Sequence, residues 1–174
     1  WEGGVRVPLV VRWPGKIPAG SSSNGIQSHE DLFVTLAAAA GAVDIKEELL
    51  KGKKIGGMTY KVHLDGFNNL DLWTGKTEKS ARNRYFYYDE SDLTGVRVGD
   101  WKMSFAVKED GLWWDQLVYP RVPYLFNLRM DPMELFDPHS PEWGYMGRKI
   151  FAEKLWTLIP AKGIIAEHIK SLQE

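Results

Sequence analysis

The chain has 174 residues, 44% hydrophobic and 26% charged, enough to bury a core in one domain or in one small domain plus part of another. Its formal net charge is −1 with no long run of one sign, which excludes the basic footprint of a nucleic-acid partner. No cysteine is present, so disulfides and zinc–thiolate sites are excluded, and no apolar run approaches the roughly 20 residues of a membrane span.

In chain order, Glu2-Gly3-Gly4 is a polar turn, and Val7 to Arg12 is apolar nearly throughout until Pro14-Gly15 stops it. Such a run predicts a strand covered on both faces, as in a parallel sheet. Without sheet neighbours, Leu9 to Val11 would leave a bare edge that favours self-association. Pro14 to Asn24 is a Pro-, Gly- and Ser-rich connection. Ser28 then caps a predicted helix with Glu30 and Asp31 in its first turn, an apolar stripe of Leu32, Phe33, Leu36, Ala37 and Ala40, and a stop at Gly41. Strand, connection and amphipathic helix make one slice of a doubly wound α/β domain. Asp44 with Glu47 predicts a capped short helix ending at Gly52, and Lys51, Lys53 and Lys54 read as a solvated loop. His63 has only Asp65 as a nearby potential partner, which is too little for a metal site.

From Tyr85 the pattern changes to period two. Tyr85-Phe86-Tyr87-Tyr88, Val96-Arg97-Val98, Trp101 to Val107 and Tyr124 to Leu128 predict about four strands of an antiparallel sheet, with Gly99-Asp100 as a hairpin turn. The change of architecture falls near residues 78 to 84, giving two regions, 1–80 and 81–174. Between the third and fourth strands, Glu109 to Gln116 carries Trp113 and Trp114. This is either a surface that grips a sugar or aromatic ring, or a hairpin lying on its own domain. Met130 to Glu134 is read as a turn, with Asp131 closing it and Pro132 ending the strand. Ile150, Leu155 and Leu158 predict an amphipathic helix that Pro160 breaks or kinks, and Ile164 to Leu172 continue the helical pattern.

Five blocks in order resemble the arylsulfatase-type sulfatases of the alkaline phosphatase-like superfamily. They are Trp1-Glu2-Gly3-Gly4-Val5-Arg6-Val7-Pro8 with Trp13-Pro14-Gly15-Lys16-Ile17, Ser28 to Leu36 with Ala39-Ala40-Gly41, His63 to Asn68, Val96 to Lys102, and Leu125 to Glu134. The resemblance implies a sulfuric ester hydrolase acting on a small-molecule or carbohydrate sulfate ester. Its nucleophile would be a formylglycine made from a Cys or Ser, and a divalent cation, calcium in expectation, would be held by Asp and Asn side chains. This sequence has no Cys, no Ser-x-Pro-x-Arg run and no adjacent Asp-Asp or Asp-Asn pair. The expectation is therefore a carboxyl-terminal portion that shapes the pocket and is inactive alone, with no catalytic or metal-binding residue of its own. The pocket-wall candidates are Trp1, Glu2, Arg6, Trp113 and Trp114. For Arg6, an ion pair with a carboxylate is expected before substrate contact. A periplasmic or extracytoplasmic setting suits a bacterial-type sulfatase. The same portion of a phospho- or phosphonate-ester hydrolase and a non-enzymatic ring-binding module stay open as alternatives.

Overall fold

The structure is a computed structural model describing residues 1–108 and 112–172. Two compact units emerge: a helical unit, Pro8–Asn83, and a sheet unit in which Trp1–Val7 joins Arg84–Glu174.

The helical unit carries α1 (His29–Ala39), α2 (Ile45–Lys51), a hairpin of β1 (Lys53–Ile55) and β2 (Met58–Tyr60), and the single turn α3 (Leu70–Trp73). Ser28 is the N-cap of α1, and its N–H donates to Asp31 Oδ2 at 2.9 Å. Gly41 lies at φ 97°, a left-handed geometry that a side chain would strain, and the helix ends before it. The buried face of α1 is Asp31, Val34, Thr35 and Ala38, whereas Phe33 and Leu36 of the expected stripe are exposed. Polar partners for Asp31 and Thr35 make that face the buried one. Val34 packs with Ile45 and Leu49 of α2. The Lys-rich stretch expected as a loop pairs instead as β1–β2, because Gly56 and Gly57 both take positive φ, the geometry a two-residue hairpin turn demands.

The strand expected over Val7 to Arg12 does not form. Both sheets are antiparallel and neither includes these residues. A strand covered on both faces needs neighbours; with none among the described residues, the segment has no regular secondary structure and Val10 is 90% exposed.

The sheet unit is built on β3 (Arg84–Asp89), β4 (Asp92–Val98), β5 (Trp101–Ser104) and β6 (Tyr124–Asn127), a four-stranded antiparallel meander in that order. Gly99 at φ 57° turns β4 into β5, and Gly95 is required because a Cβ there would stand 2.8 Å from Met103 O. One face of the sheet buries Val96, Met103 and Leu125 against Ala161 of α5 (Leu158–Ser171). Before α5 come α4 (Gly144–Lys154) and a 3-10 turn (Leu155–Thr157), so two helices stand where one was expected. Pro160 lies in the first turn of α5, where its missing N–H has no intrahelical partner to lose, and the break falls ahead of it. The result is a mixed α/β chain with an antiparallel sheet packed on the C-terminal helix.

Candidate functional site: a tryptophan-lined cleft over a buried ion network

Period two also fixes what lies on the other face of the sheet. The register pairs Arg97 with Lys102 and Lys102 with Phe126, while Tyr85 lies opposite Arg97 and Tyr87 opposite Gly95. Tyr87, Arg97, Lys102 and Phe126 therefore share the face opposite to Val96 and Met103. The amino-terminal one-turn 3-10 helix, Glu2–Gly4, lies on this face and buries the Glu2 carboxylate to 2% exposure.

Glu2 is held from several directions. Its carboxylate accepts from Arg6 Nε at 3.1 Å, from the Tyr87 hydroxyl and from the Arg97 guanidinium, and its backbone N–H donates to Glu134 Oε2. Lys102 Nζ lies 2.7 Å from Glu134 Oε1 and 4.5 Å from the centre of the Tyr87 ring. The Lys102–Glu134 contact is an ion pair outside hydrogen-bond geometry, since Oε1 has no hydrogen-bond partner. Burial pushes the Glu2 carboxyl upward, but the Tyr87 hydroxyl, Arg6, Arg97 and Lys102 together outweigh it and hold the group below its ordinary value. Tyr87 moves the other way: burial, then the bond to Glu2 and its charge, raise the phenol well above the ordinary range.

Above this network opens a cleft of about 300 Å³ walled by Trp1, Tyr87, Asp89, Lys102, Lys108 and Trp113, among others. Trp1 meets Phe126 edge to face at 6.0 Å. Lys108 Nζ donates to Trp113 O at 2.7 Å and pairs with Asp89 at 3.0 Å, which ties the aromatic loop to β3. Trp113 is 81% exposed and Trp114 meets it edge to face at 5.9 Å. Trp1 and Trp113 thus come to one cleft, Glu2 and Arg6 lie in the network under it, and Trp114 stands outside the lining. The part of the loop at 109–111 lies outside the described residues. Reading the sequence missed Tyr87, Arg97, Lys102 and Glu134. The available signal was charge at Arg97 and Lys102, positions that pair across the Gly99-Asp100 turn and so point to one face.

The helical unit has its own buried network. Arg82 donates from Nε to both oxygens of Asp31 at 3.0 and 2.9 Å, and from Nη2 to Asp31 Oδ1 at 2.8 Å and to Glu30 Oε2 at 2.7 Å. Asp31 Oδ1 also accepts from Phe67 N–H at 2.7 Å, and the guanidinium lies over the Phe67 ring at 4.9 Å. Burial would lower the Arg82 pKa, but the bonds and charges of Asp31 and Glu30 raise it.

Each buried carboxylate of the two networks faces a protein donor or cation. The divalent cation implied by the family resemblance does not fit here. No three His, Cys, Asp or Glu side chains converge among the described residues, and Asp131, buried at the end of β6, is taken up by the N–H groups of Leu135 and Phe136 at 2.9 and 2.8 Å. With no Cys in the sequence, a formylglycine derived from Cys has no precursor either. No helix among the described residues is long and apolar enough to cross a membrane.

Comparison with known proteins gives a consistent picture. The chain is 32% identical over 97 residues to a steryl-sulfatase of Homo sapiens, covering 56% of this chain and 14% of that protein. It is 34% identical over 108 residues to an arylsulfatase of Hemicentrotus pulcherrimus, covering 62% and 17%. Arylsulfatase G of Canis lupus familiaris aligns over 171 residues at 28% identity, covering 89% of this chain and 29% of the relative. Among solved structures, the PsFucS1 sulfatase from Pseudoalteromonas sp. shares the fold with a TM-score of 0.56 at 23% identity, over 80% of this chain and 28% of that one. No family profile matches. The chain therefore spans less than a third of the length of these relatives.

Proposed function

We propose that this chain is part of a sulfatase of the alkaline phosphatase-like superfamily and supplies the outer wall and scaffold of the enzyme's substrate pocket, a reading that the similarity to sulfatases supports. In this reading it is the carboxyl-terminal portion, and the nucleophile and the metal ligands are provided from outside these residues. The organic part of a sulfate ester rests against Trp1 and Trp113, whose faces suit a flat or hydroxylated ring.

The observation that carries the reading is the pairing of this cleft with an uneven charge balance beneath it. Arg6, Arg97 and Lys102 face two carboxylates, Glu2 and Glu134, leaving one positive charge in excess beside two ring-binding surfaces. A ring carrying an anion matches that arrangement better than a neutral ring. A phosphate or phosphonate ester would satisfy the same charge; similarity to sulfatases is what favours sulfate.

Titrating the chain with 4-methylumbelliferyl sulfate while following tryptophan emission tests the proposal. Saturable quenching that Trp113→Ala abolishes, and that the uncharged parent coumarin does not reproduce, is expected. Equal binding by wild type and variant would remove the cleft from the reading. With calcium added, no hydrolysis of the ester is expected, and turnover above background would refute the assignment of the chemistry to residues elsewhere.

A further inference from the structure

On the opposite side of the sheet from the tryptophan cleft lies a second cavity, of about 150 Å³. Val96, Met103 and Leu125 form its floor, Ala161 and Ile164 of α5 form its roof, and Trp156, 62% exposed, stands at its mouth. The cavity exists because α5 presents a small side chain, Ala161, to a sheet face built of larger ones. A helix resting on Leu at that position would close the gap.

Its wall offers almost nothing to water. Lys102 and Thr157 have their side-chain polar atoms committed, Lys102 Nζ to Glu134 on the far face and Thr157 Oγ1 as a donor to Lys154 O at 2.8 Å, so the indole N–H groups of Trp101 and Trp156 are the remaining side-chain polar groups on the lining. The pocket opens to solvent at Trp156, and water inside it meets a wall with little to bond; a hydrocarbon guest displaces that water, as benzene or xenon enters apolar cavities of about 150 Å³. Protein interiors are otherwise packed with few voids larger than a water molecule, so a gap of this size leaves dispersion contacts unmade that a guest can supply.

We propose that this cavity is a binding site for a small uncharged hydrocarbon group of about benzene size, separate from the Trp1–Trp113 cleft. The guest inserts between the sheet and α5 past Trp156, and is selected by volume and by a wall that is almost wholly apolar.

The test uses the whole 174-residue chain with 13C-labelled methionine methyls. Benzene is expected to shift the Met103 methyl saturably while Met130 and Met133, both exposed, stay unmoved. Phenol, whose hydroxyl gives up water for an almost wholly apolar wall, should bind at least about tenfold more weakly, in line with the cost of desolvating a polar group. Ala161→Leu should abolish the saturable shift while the sheet amide spectrum is retained. Should that variant fail to fold, Ile164→Phe fills the same space from the next turn of α5. A folded wild type with no saturable Met103 response, equal affinity for phenol and benzene, or undiminished binding in a folded cavity-filled variant would each overturn the proposal.

Discussion

The two units bury charge in opposite senses. In the helical unit a cation, Arg82, sits among acceptors; in the sheet unit an anion, Glu2, sits among donors. Arg82 is bound by a rigid fork whose several bonds to Asp31 fix direction as well as distance. Glu2 is bound by a hydroxyl, two guanidinium groups and a neighbouring pair, Lys102–Glu134, that reaches it through the backbone N–H. A fork tolerates no change of shape, whereas the distributed arrangement depends on the protonation of several groups. The first is therefore vulnerable to substitution and the second to pH.

The largest expected effect follows from breaking the fork. Arg82→Met leaves Asp31 buried without its counter-charge and should cost about 3–5 kcal/mol. Amide exchange should show protection lost at Val34 and Thr35 and kept at Val96 and Leu125; loss spread evenly over both units would contradict a separate helical unit. Next in size is Glu134→Gln, which keeps the shape but takes the charge away from Lys102. The Glu2 N–H then meets a neutral amide in place of a carboxylate, and about 1.5–3 kcal/mol is expected from denaturant unfolding of the sheet unit, the range for hydrogen bonds to charged groups.

The pH effect comes third. Glu2 is held below its ordinary value of 4.5, so the unfolded chain takes up a proton before the folded one does. Its contribution is present above that value and is lost as pH falls through the lowered one. Tyr87 is raised above 10.0, so its contribution is present below pH 10 and is lost as pH rises further. Melting temperature recorded against pH should fall on both flanks in wild type, and Tyr87→Phe should flatten the alkaline flank. An unchanged alkaline flank in that variant would show that Tyr87 does not set it. Smallest on stability is Trp113→Ala: an exposed side chain should cost under about 0.5 kcal/mol in a thermal melt, even where it removes ring binding. Separately, Val10→Lys should lower self-association measured by light scattering, because Leu9 and Val10 expose apolar surface on an unpaired segment.

Much of this was legible in the sequence where the signal is local. Ser28, Gly41 and Gly99 each act within a few residues of themselves, and the structure follows them; the alternation through Trp101–Ser104 marks a strand, but Lys102, Met103 and Ser104 are all buried, so the face expected to be wet is covered as well. Two local readings failed for want of information at longer range. The apolar run Val7 to Arg12 needs neighbouring strands, and the stripe on α1 was set by Arg82, some fifty residues away. The Lys-rich hairpin was missed because lysine stems let charged residues occupy an exposed strand without burial. At the site, Trp1 and Trp113 are visible as aromatics at loop positions, but nothing local indicates that Glu2 will meet Glu134. The structure alone marks the position: Glu134 takes φ 54°, an uncommon conformation for a residue with a side chain, and its carboxylate is engaged by the Glu2 N–H and Lys102.

The contact from Glu2 to Glu134 joins residues 132 positions apart, with the whole helical unit threaded between them in the chain. During synthesis the Glu2 carboxylate can meet Tyr87 and Arg97 as soon as β3 and β4 emerge, but its backbone N–H must wait for Glu134, after β6. The sheet can assemble from neighbouring hairpins, but the final clasp closes over a long loop, and such late, non-local closures are slow. Chains released before Glu134 would leave the Glu2 N–H without its acceptor and Lys102 without its counter-charge.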